Sequence, residues 1–443
     1  MLDLFNEIDR RGCRFVDLKV VDLSGRWRHV TLHRESFTEK TLEHGVGFDA
    51  SNLGYATLHK SDMVIIPDPD TLFFERIGEE QVASFICDVY DADTLQPNAH
   101  DPRSILKNAL KSISDIADEV FLSPEYEFHV FDEVRYSVQV NQIMLEVNSP
   151  EGFWNAPFEG EYFVGRKRGY HRIYPFDRFM ELRNNIVEKL ENIGISVRYH
   201  HHEVGSTQLE IEVNPTTALR AADGILLVKH VVRNVAEKQG FLVTFMPKPL
   251  NDEAGNGMHV HQYLTKNAEN IFAGESRGDV SEKCLSYVSG LLYHCPALMA
   301  FTNPSTNSYR RLVPGFEAPT HPTFGFADRG AAVRIPGYIK EKKNTRIEFR
   351  TIDASCNPYL GIAAMILAGI DGIRRQMELD KIHGGALPSS LYEAAKSLEK
   401  DNDFLKEVFP GSLIEYWIKM KKKEHQMVMA IPHPIEYQLY FDV

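Results

Sequence analysis

Apolar residues alternate with acids through Leu209-Glu210-Ile211-Glu212-Val213, the period of a strand with one polar face. Glu203 closes the preceding run, His200-His201-His202-Glu203, and Gly205-Ser206 forms a tight turn that folds Glu203 back towards Glu210. Two carboxylates brought together this way repel each other unless a cation lies between them; the plain alternative is a solvated outer sheet face. The same period puts Glu125, Glu127 and His129 on one face of a strand over 120–131, and Tyr126, Phe128 and Val130 on the other. After the glycine-rich Gly255-Asn256-Gly257, His259 and His261 share one strand face. Strand-like runs at 331–336 and 345–353 carry Arg334, Arg346, Glu348 and Arg350.

The rest of the pattern predicts two units. Residues 1–98 read as a small domain. It has a helix over 2–11, strands over 15–21 and 26–32 joined at Ser24-Gly25, and further strands over 62–67 and 83–89. A glycine-bounded loop over 47–55 carries Asp49. The stretch 94–103, with Pro97, Asn98, Asp101 and Pro102, reads as the linker. Residues 99–443 form the larger unit. Helices are predicted over 102–117, with Asp101 as cap and Pro102 at the first position, and over 176–193, 217–238 and 281–301. A strand is predicted over 241–249, a long loop over 302–318, and a mostly helical remainder.

Composition narrows the function classes. Of 443 residues, 43% are hydrophobic and 25% charged, and the formal charge is -13. No basic excess exists to displace phosphate counterions, which argues against nucleic acid or an anionic membrane as partner. No apolar leader is visible at the N-terminus. The apolar stretch 359–373 is interrupted by Gly361, Gly369 and Asp371 and reads as a buried helix. The five cysteines are scattered without a CxxC pair, a pattern of reduced thiols in a cytoplasmic protein.

The candidate chemistry is that of metal and phosphate. Glu125, Glu127, Glu203, Glu210, Glu348 and His259 make an oxygen-dominated set that suits Mg²⁺ or Mn²⁺ better than zinc. Six such ligands exceed the needs of one ion, so two or more are expected, a layout that neutralises phosphate oxygens. Arg310, Arg311, Arg329, Arg334, Arg346 and Arg350 all fall between positions 310 and 350, and arginine binds carboxylate and phosphate with paired donors. Ordinary ion pairing across strands is the alternative for any one of them. A P-loop is absent, and no GxGxxG follows a strand and opens a helix, so a nucleotide would be held by metals and arginines. The triplet His200 to His202 lacks helical HExxH spacing, and period two splits it across both strand faces, which argues against a zinc hydrolase.

These residues resemble the glutamine synthetase family. The resemblance is carried by E-Y-E-F at Glu125 to Phe128, H-H-E-V at His201 to Val204 with Q-L-E at Gln208 to Glu210, and G-N-G-M-H-V-H at Gly255 to His261. It extends through T-N-P-S-T-N-S-Y-R-R-L-V-P-G-F-E-A-P from Thr302 and R-I-E-F-R at Arg346 to Arg350, in the family's order. The length resembles the shorter bacterial and archaeal type I enzymes. The resemblance implies an α+β fold, with a small N-terminal β-grasp domain and a large catalytic domain built on an antiparallel sheet. It implies a cytoplasmic double-ring dodecamer with active sites between subunits, and two divalent ions per site. Glu127, Glu203 and Glu210 would hold one ion, and Glu125, His259 and Glu348 the other.

The implied reaction joins glutamate and ammonia through γ-glutamyl phosphate, driven by ATP. Arg329 and Arg350 would stabilise the transferring phosphoryl group. His261, Arg334 and Arg346 would bind the nucleotide. Asp49 of an adjacent subunit would take the ammonium proton, with Tyr170 and Glu203 lining that site. Glu317 would close over the intermediate, Arg311 would grip the substrate carboxylate, and Gly255 would let the backbone approach the substrate. Three stretches depart from the family pattern: Asp49-Ala50-Ser51-Asn52, Ala254, and Ala327-Asp328-Arg329-Gly330. They leave a larger primary amine or polyamine as the alternative acceptor, and a catalytically silent assembly protein as a third reading.

Overall fold

The computed structural model describes residues 2–54, 61–155, 162–275, 279–382 and 385–443. The N-terminal sheet runs in the order Trp27–His33, Phe15–Val21, Glu80–Asp91, Asp62–Pro67, Val46–Asp49, with Phe73–Ile77 also paired to Glu80–Asp91. Phe15–Val21 and Glu80–Asp91 are parallel, and the remaining pairs are antiparallel. Val16, Leu18 and Val20 turn into the core, as their spacing requires. The hairpin predicted at Ser24-Gly25 is present, with Val21 opposite Trp27. Gly25 has φ +80, and a Cβ there would sit 2.7 Å from Asn357 Cα. The hairpin tip thus seats directly on the start of the helix Pro358–Arg374, where the Asn357 amide donates to the carbonyls of Asp22 and Leu23.

Asp101 caps the helix Pro102–Ser112 by accepting from the Ser104 N–H at 3.1 Å. The helix ends earlier than the apolar pattern predicts. Near its end the Ser112 hydroxyl donates to the Ala109 carbonyl, a local bond that competes with the helical ladder. The helix expected over 176–193 spans Met180–Asn192. Its predicted first turn is used elsewhere, because the Arg178 N–H donates to the buried Glu151 carboxylate. The strand expected over 241–249 is confined to Leu242–Thr244, since Pro247 and Pro249 have no N–H to give a ladder.

The second sheet has ten strands. Its main path is Val197–His202, Gln208–Val213, Glu119–Phe131, Val260–Lys266, Ile347–Phe349, Val333–Ile335, Phe324–Phe326. All neighbours are antiparallel except the last pair. Register brings the charged residues together: Glu210 lies opposite Glu127, Glu212 opposite Glu125, and Glu348 opposite both His261 and Arg334. The solvated-face alternative for Gln208–Val213 is overturned, because the strand is buried on both faces. Helices Glu282–Thr302 and Pro358–Arg374 pack together in the core. Glu282–Thr302 is long and apolar enough to cross a membrane, but 78% of its apolar window is buried inside the protein, so it is a core helix here. The pairing of Glu133–Gln139 with Gln142–Asn148 into a hairpin was not predicted; it displays Tyr136, Val138, Val140 and Leu145 to solvent.

Candidate active site

The registered strands wall a cavity of about 340 Å³. Glu125, Glu127, Glu203, Glu210, His259 and Glu348 line it, faced by Arg311, Arg329, Arg334 and Arg350, with Tyr170, Gly255 and Glu317 also in the lining. Sheet register, rather than sequence proximity, assembles them: the acids come from four strands or strand ends, and Glu125 and Glu348 are more than two hundred positions apart.

The carboxylates divide into two electrostatic groups. Glu125 accepts from His259 Nδ1 and His261 Nε2, both at 2.9 Å. Burial raises its carboxyl, but these two imidazoles outweigh burial and leave it well below the usual carboxylate range. Glu348 is paired with Arg334 and Arg350. Burial raises it and Glu125 repels it, yet His261, Arg350 and His259 hold it low. For Glu127, which feels His259 and Arg311, and for Glu203 and Glu210, the favourable contacts do not outweigh burial and mutual repulsion. Burial pushes all three up, and Glu210 goes well above its ordinary value because Glu125 and Glu203 add repulsion. The nearest protein cation to Glu210 is His201, whose Nε2 lies 3.4 Å away and whose imidazole is itself held low by burial.

This arrangement fits divalent cations. Donor atoms of His201, Glu203 and Glu210 lie within 4.8 Å of one another, as do those of Glu125, His261 and Glu348. Crowded carboxylates with one imidazole per group are hard donors, and a bound cation relieves the repulsion that raises Glu127, Glu203 and Glu210. His259 sits where the groups meet, its Nδ1 3.8 Å from Glu127 and 3.7 Å from Glu348. Arg311 can only donate to His259 Nε2, which assigns the ring proton to Nδ1, facing Glu125. For His259 to hold a cation through Nδ1, the ring proton would have to move to Nε2 and Arg311 would give up its contact there.

The arginines show a complementary feature. Among the described residues, the buried Nε–H groups of Arg334 and Arg350 have no protein acceptor. Buried donors of this kind call for an acceptor, and an anionic substrate supplies one. Arg329 is hydrogen-bonded to Tyr170 at the rim. Glu317 adopts φ +53, a strained conformation for glutamate, and its carbonyl accepts from Arg350 Nη2 at 3.2 Å.

The structure places the other expected residues in and around this cavity. Gly255 lines the cavity, but the contact that demands glycine is internal: a Cβ would meet the Pro247 carbonyl oxygen at 2.4 Å and Arg311 Cγ at 3.0 Å. The terminal nitrogens of Arg311 donate to the carbonyls of Thr351 and Arg350 at 2.8 and 3.0 Å, so much of its fork is spent holding the chain. His261 is buried against Glu125 and is not in the lining. Arg346 also lies outside the lining and stacks over Tyr338, which is in it. Asp49 is exposed on the last strand of the N-terminal sheet, hydrogen-bonded to Ser51 and outside the cavity of its own chain.

His201 was passed over when the triplet was read for zinc alone. Its neighbours take the opposite face: His200 accepts from Arg183 and His202 pairs with Glu151. The period-two run Tyr199, His201, Glu203 was the available signal, and all three line the cavity. Lys167, Phe316 and Tyr338 also line it and were not anticipated. They come from loops, where no period marks direction.

Residues 99–440 match the glutamine synthetase catalytic domain, and residues 12–92 match the glutamine synthetase β-grasp domain. The chain is similar to a glutamine synthetase of Frankia alni, 40% identical over 468 residues, covering 100% of this chain and 99% of the relative. A glutamine synthetase of Aquifex aeolicus is likewise 40% identical, with 100% and 98% covered. The cryo-electron microscopy structure of Plasmodium falciparum glutamine synthetase superposes with a TM-score of 0.92 at 27% identity, over 99% of this chain and 98% of that one. A ligand-free GmaS structure superposes at 0.84 with 25% identity over the whole of both chains. A β-grasp domain joined to a catalytic sheet bearing this site defines an ATP-dependent ligase. The chain belongs to the glutamine synthetase family.

Proposed function

We propose that this cavity forms glutamine from glutamate and ammonia in an ATP-dependent reaction passing through γ-glutamyl phosphate. One observation carries the reading: a carboxylate cluster in need of cations faces two arginines whose buried Nε–H groups have no acceptor among the described residues. Glu127, Glu203 and Glu210 would hold one divalent ion, Mg²⁺ or Mn²⁺, and Glu125, His259 and Glu348 the second. When bound, these ions neutralise phosphate oxygens and orient the γ-phosphoryl group.

The chain's own residues do the rest. Arg350 and Arg329 lie on the transferring phosphoryl group, and Arg334 and Arg346 lie towards the nucleotide, with His261 supporting Glu125 from below. Arg311 orients glutamate through its remaining donor capacity. Glu317, already hydrogen-bonded through its carbonyl to Arg350, closes over the intermediate and excludes water. Tyr170 and Glu203 line the ammonium site, and Asp49 of a neighbouring subunit accepts the proton as the amine attacks.

A homo-oligomer, read as a dodecamer, follows from that last role. Asp49 stands outside its own cavity, and the hairpin at 133–148 and the C-terminal helix Pro434–Tyr440 expose apolar side chains that suit subunit contacts. We place the domain boundary between residues 98 and 99, ahead of the Asp101 cap. The five cysteines are buried and unpaired, which supports a reducing, cytoplasmic setting.

The test is ADP release with ATP, Mg²⁺ and glutamate, with ammonium compared to a no-amine control and to a panel of primary amines. Strong stimulation by ammonium with glutamine as product is expected. Faster turnover with a larger amine would overturn ammonia as the acceptor, and absence of ADP under every condition would overturn the ligase assignment to this cavity.

A further inference from the structure

A second cavity, of about 840 Å³, lies between the hairpin tip Ser24 to Trp27, the helix Ala218–Lys238 and the helix Gly411–Met429. Its lining carries Arg26, Lys229, Arg233 and Lys421 against a single acid, Glu424. In a chain of net charge -13, four cations facing one acid run against the composition. Basic side chains in so acidic a protein have carboxylates in abundance, yet these are poorly matched. Glu424 is taken by Lys421 at 2.9 Å. Lys229 is buried, and its ammonium donates to the Ala354 carbonyl at 2.7 Å rather than to a carboxylate. Burial holds it down to about 8. Among the described residues Arg26 and Arg233 form no ion pair. Arg233 lies over the Phe245 ring at 5.5 Å, and the charge acting on it is the repulsive one of Arg26.

We propose that this cavity binds a small polyanion, bearing phosphate or several carboxylates, through Arg26, Lys229 and Arg233. Two planar guanidiniums and one compact ammonium around one void match a multiply charged oxyanion, which also cancels their mutual repulsion. The site is separate from the carboxylate cavity but shares a hydrogen-bonded wall with it. Met246 and Asn307 line the second cavity. The Met246 carbonyl accepts from the Asn256 amide at 2.8 Å, and Asn307 Oδ1 accepts from the Lys248 N–H at 2.7 Å. Gln208 in turn donates to both Asn256 and Glu127. An anion seated there therefore alters the apparent KM for glutamate. This coupling rests on the glutamine-forming reading; the binding does not.

Calorimetric titration of the intact metal-free oligomer, with inorganic pyrophosphate and separately with citrate, tests the proposal and distinguishes phosphate from carboxylate ligands. Saturable binding of at least one probe is expected. Arg233→Met and Arg26→Ser should each weaken it about tenfold, the loss expected for one charge-assisted contact. Turnover without added anion should stay unchanged. Arg26 sits on an exposed hairpin tip, so its substitution keeps the test valid if the Arg233 variant folds poorly. No saturable binding of either probe, as when a neighbouring subunit's acid fills the cavity, would overturn the proposal. So would an affinity that both substitutions leave untouched, which would place the anion in the catalytic cavity. Binding with an unmoved KM for glutamate would overturn the coupling.

Discussion

Glu210 shows how a side chain can work against the fold that holds it. Its carboxyl is raised by burial and then by Glu125 and Glu203. A group raised in the folded state stabilises fully below its unfolded value, near 4.5, and that contribution is lost as pH rises through the folded value. At pH values above about 4.5 the Glu210 carboxyl therefore weakens the cation-free protein relative to an uncharged amide in its place. Glu210→Gln should raise the melting temperature in chelator and lower divalent-cation affinity by about 10-fold to 100-fold, so that excess Mg²⁺ reverses the order of the melts. Equal melts in chelator would show that the repulsion is not felt. Gly255→Ala tests a different constraint. Its Cβ would press on the Pro247 carbonyl, and overpacking there should cost about 1–3 kcal/mol in urea unfolding and raise the KM for glutamate. The acids were legible in the sequence because period two gave them a common face. The internal reason for Gly255 was not, because nothing local announces that a carbonyl eight residues earlier returns to within 2.4 Å of a Cβ built there. The setting of Arg346 was not legible for a related reason: it flanks Glu348 in sequence, but nothing local announces that its guanidinium lies over the ring of Tyr338, a residue of the cavity lining.

Elements were legible wherever their own backbone decides them. Phe15–Val21 and Asp62–Pro67 fall where alternation places them, and Ala218–Lys238 begins one residue inside its expected start. They were lost where a distant partner takes the backbone, as Glu151 does at Arg178. The helix Glu282–Thr302 carries a further device of this distant kind. His294 bridges Asp371 on the next core helix, at 2.9 Å, and Asp401 at the end of Leu391–Lys400, at 2.8 Å. Burial alone would push its imidazole down, but the two carboxylates outweigh burial and raise it above its ordinary value near 6.5. The stabilisation is thus complete below pH 6.5 and fades as pH rises through the raised value. Melting temperature should fall across that window in the parent protein and stay flatter in His294→Gln. Below pH 6.5 the variant should be less stable by about 2 kcal/mol, a figure kept modest because Asp401 is partly exposed. An unchanged pH profile in the variant would place the sensitivity elsewhere.

At the scale of the whole molecule, a buried cation ties the N-terminal sheet to the helices of the larger unit. Arg103, on the first helix of the larger unit, donates to Asp88 and Asp68 of the N-terminal part, at 2.8 and 2.9 Å, and to both carboxylate oxygens of Asp223 on Ala218–Lys238. Tyr359 donates to Asp223 from the core helix, which closes the network. No sequence pattern marks such a junction: Arg103 and Asp223 are 120 positions apart, and each alone reads as an ordinary surface charge. The same limit hid the second cavity, since it depends on segments brought together from three or more places along the chain. Arg103→Met keeps an aliphatic stem but leaves buried Asp223 with only the Tyr359 hydroxyl, and Asp68 and Asp88 with only Lys107 as a cation, so it should cost about 3 kcal/mol. Adding Asp223→Asn should recover part of that loss, because the second change removes a charge left without its partner; additive losses would show that the two residues are not coupled. The consequence for catalysis is specific. Asp49 rides on the N-terminal sheet while the acids proposed to hold the metal ions belong to the larger one, so a loosened junction should depress glutamine formation more steeply than divalent-cation affinity. A parallel fall in both would mean that the junction holds the catalytic sheet itself, not the placement of one domain against the other.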